Sequence, residues 1–238
     1  MKTFAGDFNK FLNKIKSGEH FSLSRWGDGE LMILEDKFID LRNQKNGEFR
    51  YDPNLKEYRH VKHMLGISFC NKSDEYYIGI ACPCCIGQEK YEIMKKMSGQ
   101  DEEHLTWANI YVNANYRRFI EEFVPEMSNH DVIMVVNNQA DTSKLPFNIE
   151  KTYKVGTDAW LLDYEIIDKM KEDYLESKNK IFLFAAGPLA NIMTYELSYN
   201  NKNNTYIDIG STLDTQMGMK PTRGYHVGAL TLNKICIW

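Results

Sequence analysis

The 238-residue chain has no surplus of basic residues, no long apolar run and no even set of cysteines. Lys and Arg number 29 against 33 Asp and Glu, a formal charge of −4. Nucleic-acid binding by bulk electrostatics is disfavoured, because it needs a cationic surplus to displace counterions from phosphates. The longest uncharged apolar stretch, 181–190, is about half of the roughly 20 residues a membrane helix requires, so no membrane span is expected. Lys2, Asp7, Lys10 and Lys14 interrupt the first residues and leave no secretory apolar region, and a cytoplasmic address is expected. The cysteines are five, with Cys82, Cys84 and Cys85 within four positions, which disfavours a disulfide framework. A structural zinc site uses two spaced ligand pairs. The second pair is missing, so reduced, partly buried thiols after a strand are expected. Low-complexity linkers and internal repeats are absent as well, and residues 1–238 read as a single domain. Gly-x-x-x-x-Gly-Lys, His-Glu-x-x-His and Gly-x-Ser-x-Gly do not occur, which removes the common phosphate-loop, zinc-protease and serine-hydrolase readings.

What is present has the rhythm of an α/β protein. Phe4, Phe8, Phe11, Leu12 and Ile15 recur at helical spacing and stop at Ser17-Gly18. A short extended run, Phe21 to Ser24, leads into the turn Arg25-Trp26-Gly27-Asp28-Gly29-Glu30 and then into apolar Leu31 to Leu34. Further apolar strands are predicted at 76–81, 131–136, 152–155, 180–185 and 205–209. Helices are predicted over 102–123, 159–174 and 189–197, the last behind Gly187-Pro188, where proline suits the first helical turn. This alternation predicts an α/β fold, a mostly parallel sheet with helices on both faces. Residues 34–64 give a weaker pattern, apart from a turn at Tyr51-Asp52-Pro53-Asn54 before a helix. Residues 230–238 fit an edge strand.

The polar and small residues cluster just past the predicted strand ends, at 25–30, 82–85, 137–138, 156–158, 187–188 and 210–214. In an open α/β sheet these loops share the ligand-binding rim. Asp28-Gly29-Glu30 is the sharpest of them. On an extended backbone its two carboxylates project to one side, a donor set that suits Mg²⁺ or Mn²⁺ with room left for diphosphate oxygens. Arg25 stands within reach of a phosphate. The competing reading makes Asp28 a helix cap, with Glu30 in the first turn favoured by the helix dipole. A dinucleotide fingerprint is excluded, since Met32 stands where its third glycine belongs. Trp107 with Tyr111, and Asn109 with Asn113, would give a helix an aromatic face beside an amide face, the pattern of an ordinary half-buried helix. Residues 217–228, with three glycines, Arg223 and His226, read as a flexible loop.

Phe21-Ser22-Leu23-Ser24-Arg25-Trp26-Gly27-Asp28-Gly29-Glu30 resembles the signature of the GT-D type glycosyltransferases, whose Arg-aromatic-Gly-Asp-Gly-Glu segment contains an Asp-x-Glu motif. Tyr51-Asp52-Pro53, Tyr77-Ile78-Gly79-Ile80, Gly187-Pro188-Leu189-Ala190 and Tyr206-Ile207-Asp208-Ile209-Gly210 follow in the family's order, so the resemblance covers about residues 20–215. It implies a GT-D type Rossmann-like fold and a metal-dependent transfer of a hexosyl or pentosyl group from a nucleotide sugar, a UDP-sugar first, to a glycan or glycoprotein acceptor, as in polysaccharide biosynthesis. By match to the motif, Asp28 and Glu30 would hold Mn²⁺ or Mg²⁺ and the donor diphosphate, and Arg25 would assist. Gly27, Gly29, Gly187 and Arg223 are the further donor-binding candidates, and Asp208 is the catalytic candidate beside Asp28 and Glu30. Asp158, Asp214 and His226 are other candidate bases. The segment Ser211-Thr212-Leu213-Asp214 departs from the family's continuation after Asp-Ile-Gly, so no role is carried to Asp214. The alternatives are a non-catalytic nucleotide- or glycan-binding module and a Rossmann-like methyltransferase using Asp208-Ile209-Gly210, the latter weakened because no second glycine follows.

Overall fold

The computed structural model describes residues 3–43 and 48–228. Seven parallel strands form one sheet in the order β5-β4-β1-β9-β8-β6-β7, made of β1 (Ser22–Trp26), β4 (Tyr76–Ile80), β5 (Leu105–Trp107), β6 (Asp131–Asn137), β7 (Ile149–Val155), β8 (Lys180–Ala185) and β9 (Thr205–Asp208). A separate antiparallel pair joins β2 (Ile39–Asp40) to β3 (Arg50–Tyr51). The helices are α1 (Phe4–Ser17), α2 (Asp28–Leu34), α3 (Tyr58–Phe69), α4 (Pro83–Ile86), α5 (Gln88–Ser98), α6 (Tyr116–Arg118), α7 (Val124–Glu126), α8 (Ala159–Leu162), α9 (Ile166–Asp173) and α10 (Pro188–Asn200).

The central strands are apolar on both sides because both sides are covered. Along β6, Val132, Met134 and Val136 enter one core with Phe8, Phe11 and Ile15 of α1 and with Phe119 and Phe123. Ile133 and Val135 enter the other with Leu65 of α3, Ile167 of α9 and Leu189 and Met193 of α10. Successive side chains on a strand point to opposite faces, so a continuous apolar run is what a doubly covered parallel sheet demands. The expected α/β architecture is therefore observed.

Local signals set the helix ends. Thr3 caps α1 by accepting the Gly6 N–H at 3.1 Å, and Gly18 closes it in the left-handed region. Pro188 opens α10, where its missing N–H costs nothing.

Two predicted helices are corrected. Within 102–123, Leu105-Thr106-Trp107 is strand β5, fully buried and paired with β4. Thr106 fixes this edge by donating its hydroxyl to Asp7 of α1 at 2.9 Å. Trp107 and Tyr111 therefore share no helical face, and helical structure begins only at Asn113. The 159–174 stretch breaks into α8 and α9 because Asp163 turns back to accept the Gly156 N–H at 2.8 Å. The predicted strand at 230–238 lies outside the described residues. Among the described residues, no helix is long and apolar enough to cross a membrane.

Candidate active site

The carboxyl ends of β1 and β9 lie side by side at the centre of the sheet. A cavity of about 990 Å³ opens above them. Arg25, Gly27, Asp28, Gly29 and Glu30 line it from the first half of the chain, and Asn137, Gly156, Gly187, Asp208 and Gly210 from the second. Most of the loops expected on one rim are thus brought together. The 82–85 loop does not line the cavity and only adjoins it, through Asn109.

The local geometry of the acidic motif differs from the extended one expected. Strand β1 runs on through Arg25 and Trp26, Gly27 is the N-cap of α2, and Asp28 and Glu30 occupy its first turn. Residues two apart on a helix do not face each other. Asp28 is exposed at the cavity, whereas Glu30 folds back and accepts the Gly27 N–H at 2.9 Å. The cap anticipated for Asp28 is supplied by Glu30, the reciprocal half of a capping box in which glycine has replaced the usual hydroxyl residue. A Cβ on Gly29 would meet the Phe49 ring at 3.0 Å, so that glycine makes room for an aromatic side chain.

Asp208 is buried between the two central strands. Its Oδ2 accepts the Arg25 N–H at 3.2 Å and its Oδ1 the Gly210 N–H at 2.8 Å. Burial pushes this carboxyl up to about 6 against the opposing pull of Arg25 and the two N–H donors. Burial likewise pushes Glu30 up to about 7; its backbone donors oppose the rise, and the charges of Asp208 and Asp28 add to it. Arg25 donates Nε to the Ala108 carbonyl, while its buried Nη1 finds no acceptor among the described residues.

Phe38, Ile39, Glu48 and Phe49, from and beside the β2–β3 pair, form the opposite wall. This wall is latched across the molecule: Asp158 N–H donates to the Glu48 carbonyl at 3.0 Å, the Asp158 carboxylate accepts the Arg50 N–H, and Trp160 Nε1 donates to the Arg50 carbonyl. Asp158, a candidate base by sequence, is thereby a structural latch. His226 is also committed. Its Nδ1 accepts the Thr222 N–H at 3.2 Å and its Nε2–H faces the Ser211 carbonyl at 2.8 Å. Asp214 lines the cavity.

The 217–228 segment, expected as a flexible loop, is hydrogen-bonded to the body at its start and again through His226. Asp141 N–H donates to the Met217 carbonyl and Met219 N–H to the Asp214 carbonyl, both at 2.9 Å. The segment brings Arg223 and Tyr225 to the cavity, with Arg223 paired to Glu48 at 3.4 Å. The β2–β3 wall was the part missed by sequence. Its signal was Phe38-Ile39-Asp40-Leu41 and Phe49-Arg50-Tyr51, two short runs of alternating character on either side of a polar stretch.

The fold has solved counterparts. One, described as the highly conserved domain of unknown function 1792 with a distinct glycosyltransferase fold, superposes with a TM-score of 0.61 at 16% identity over 94% of this chain and 81% of its own. A second, described as a new glycosyltransferase of the same domain type from Streptococcus sanguinis, gives 0.56 at 16% identity over 89% and 84%. The chain has that glycosyltransferase fold. No protein-family profile and no curated protein matches the sequence.

Proposed function

We propose that this protein is a metal-dependent glycosyltransferase that moves a hexosyl or pentosyl group from a nucleotide sugar, preferentially a UDP-sugar, to a glycan or glycoprotein acceptor. The observation that carries the reading is the convergence of Arg25, Asp28, Glu30 and Asp208 on one cavity, at the centre of a sheet whose fold is shared with structures described as glycosyltransferases. The reading takes residues 1–238 as one transferase domain working in the cytoplasm.

The chemistry of these side chains suits a hard divalent cation, which would have to draw together three carboxylates that do not yet converge. They are all oxygen donors, Asp28 is exposed, and the charges of Asp208 and Asp28 push Glu30 up, a repulsion that a cation would relieve. Asp28 and Glu30 are the residues assigned to Mn²⁺ or Mg²⁺. Bound there, the ion would supply positive charge toward the diphosphate leaving group.

The chain's own groups divide the remaining work. Arg25 carries an unsatisfied buried donor at the wall, and such a group favours an anionic occupant because leaving it unpaired costs about 1–3 kcal/mol. Gly27, Gly29 and Gly187 line the cavity and are assigned to the donor through their backbone, and Arg223 approaches from the far side. Asp208, with a carboxyl lifted toward neutrality, is assigned the proton from the acceptor hydroxyl.

The test is a screen of nucleotide sugars for thermal stabilisation and for hydrolysis, with and without Mn²⁺. Saturation at about 100 times the dissociation constant adds about 2.7 kcal/mol. The transferase reading expects metal-dependent stabilisation and turnover by one donor class. A binding module, favoured by the use of Glu30 as a cap, expects metal-independent stabilisation without turnover.

A further inference from the structure

Outside the cavity, Cys82, Cys84 and Cys85 bring their sulfurs within 4.8 Å of one another, the one group of three such ligand atoms found among the described residues. We propose that these three side chains form a thiolate site for a single soft divalent cation of the zinc type, separate from the carboxylate site in the cavity.

The backbone builds the site. Cys82 leaves β4 extended, Pro83 then starts a helical turn, and the Cys82 carbonyl accepts the N–H groups of Cys85 at 3.0 Å and Ile86 at 3.2 Å. That turn folds Cys84 and Cys85 back over Cys82, leaving the Sγ atoms of Cys82 and Cys84 3.0 Å apart. A Zn–S bond is about 2.3 Å, which in tetrahedral geometry sets the sulfurs of two ligands about 3.8 Å apart. The Cys82–Cys84 spacing is shorter than that value and every pair lies within 4.8 Å, so small side-chain rotations close the site.

Cys82 is buried beside Phe4 and Trp107, whereas Cys84 and Cys85 are exposed. Cys82 thus anchors the site from below while Cys84 and Cys85 reach the surface, and the three thiolates supply all but one of the four ligands zinc takes. Sulfur also separates this site from the first, because thiolates select soft ions and carboxylates select Mg²⁺ and Mn²⁺. Asn109 donates Nδ2–H to Cys85 Sγ at 3.3 Å, a contact that stabilises thiolate character. Its neighbour Ala108 holds Arg25 through its carbonyl. The missing second ligand pair, which argued against a structural zinc, is not required by a site of three thiolates completed by one further ligand.

The experiment uses the full chain, reduced with a phosphine and stripped of metal. Zn²⁺ is titrated against a chromophoric chelator, and Cd²⁺ is titrated while thiolate-to-metal absorption is recorded. One ion per chain with a three-thiolate absorption is expected. Cys84→Ser and Cys85→Ser should each remove about a third of that absorption and weaken binding by more than the roughly 10–100-fold that a mere outer contact costs. Cys70→Ser should change nothing, since that thiol lies apart and meets the Met97 carbonyl. Asp28→Asn should leave the zinc stoichiometry intact whether or not transferase activity exists, so the two sites are tested independently. Failure to bind a stoichiometric ion, or unchanged binding in the Cys84→Ser/Cys85→Ser double variant with a native circular-dichroism spectrum, overturns the proposal.

Discussion

Glu30 Oε2 accepts the backbone N–H of Gly27 at 2.9 Å, so one carboxylate of the acidic motif holds the helix entrance while its neighbour Asp28 is left exposed to the cavity. The two acids are therefore not equivalent, and substitution separates them.

Glu30→Gln keeps an acceptor for the Gly27 N–H but loses the charge, whereas Glu30→Ala loses both. Urea titration should show Glu30→Gln as stable as the parent at neutral pH and Glu30→Ala weaker by about 1 kcal/mol, the usual worth of a cap. Asp28→Asn should change stability by less than about 0.5 kcal/mol. All three should lose metal-dependent donor hydrolysis. Full activity in Asp28→Asn and Glu30→Gln together would sink the metal assignment.

The pH dependence of stability follows from the two raised carboxyls. Asp208 moves from 3.8 to about 6 and Glu30 from 4.5 to about 7, so between those limits the folded state holds more protons than the unfolded one. Their contribution is fully present below the unfolded values and is lost as pH rises through the folded ones. Urea midpoints in metal-free buffer at about pH 5 and about pH 8 should reveal this loss, and Asp208→Asn should show a smaller one. An identical pH slope in parent and variant would mean that Asp208 does not titrate in this range.

Asp208→Asn should also lower turnover by about 100- to 10,000-fold, the usual contribution of a general base, with little change in donor affinity. The amide can still accept the Gly210 N–H, so the turn after β9 should survive. Steady-state rates and donor titration check the two halves of this expectation. Donor affinity falling in parallel with turnover would make Asp208 a brace for Arg25 instead.

Gly187 has φ 56° and ψ −141°, a region open essentially to glycine alone. Gly187→Ala should cost about 1–3 kcal/mol in urea unfolding. The added methyl itself meets Phe49 at only ordinary contact distance, 3.6 Å, so the loss would come from the backbone.

The sheet was legible because its strands are buried on both faces, and continuous apolar runs such as Ile133 to Val136 leave little choice of period. The cavity rim was legible for a related reason. Turn residues past strand ends must share a rim once the strands are parallel, which is how Arg25, Asp28, Gly187 and Asp208 came together. What stayed hidden depends on contacts remote in sequence. Glu30 and Asp28 exchange the roles a linear reading assigns them because the helix starts one residue after Gly27. Asp158 becomes a latch only because residues 48–50 fold against it. The strand at Leu105–Trp107 is too short for its period to register and is stabilised by Asp7, far earlier in the chain.

The pairing of β1 with β9 has a consequence for biosynthesis. Residues 22–26 leave the ribosome well before their partner on one side, residues 205–208. The gap between Arg25 and Asp208 can close only after residue 208 has been synthesised. Nascent chains that stop short of that residue should therefore be inactive, with an unfilled groove at the middle of the sheet that exposes them to chaperones.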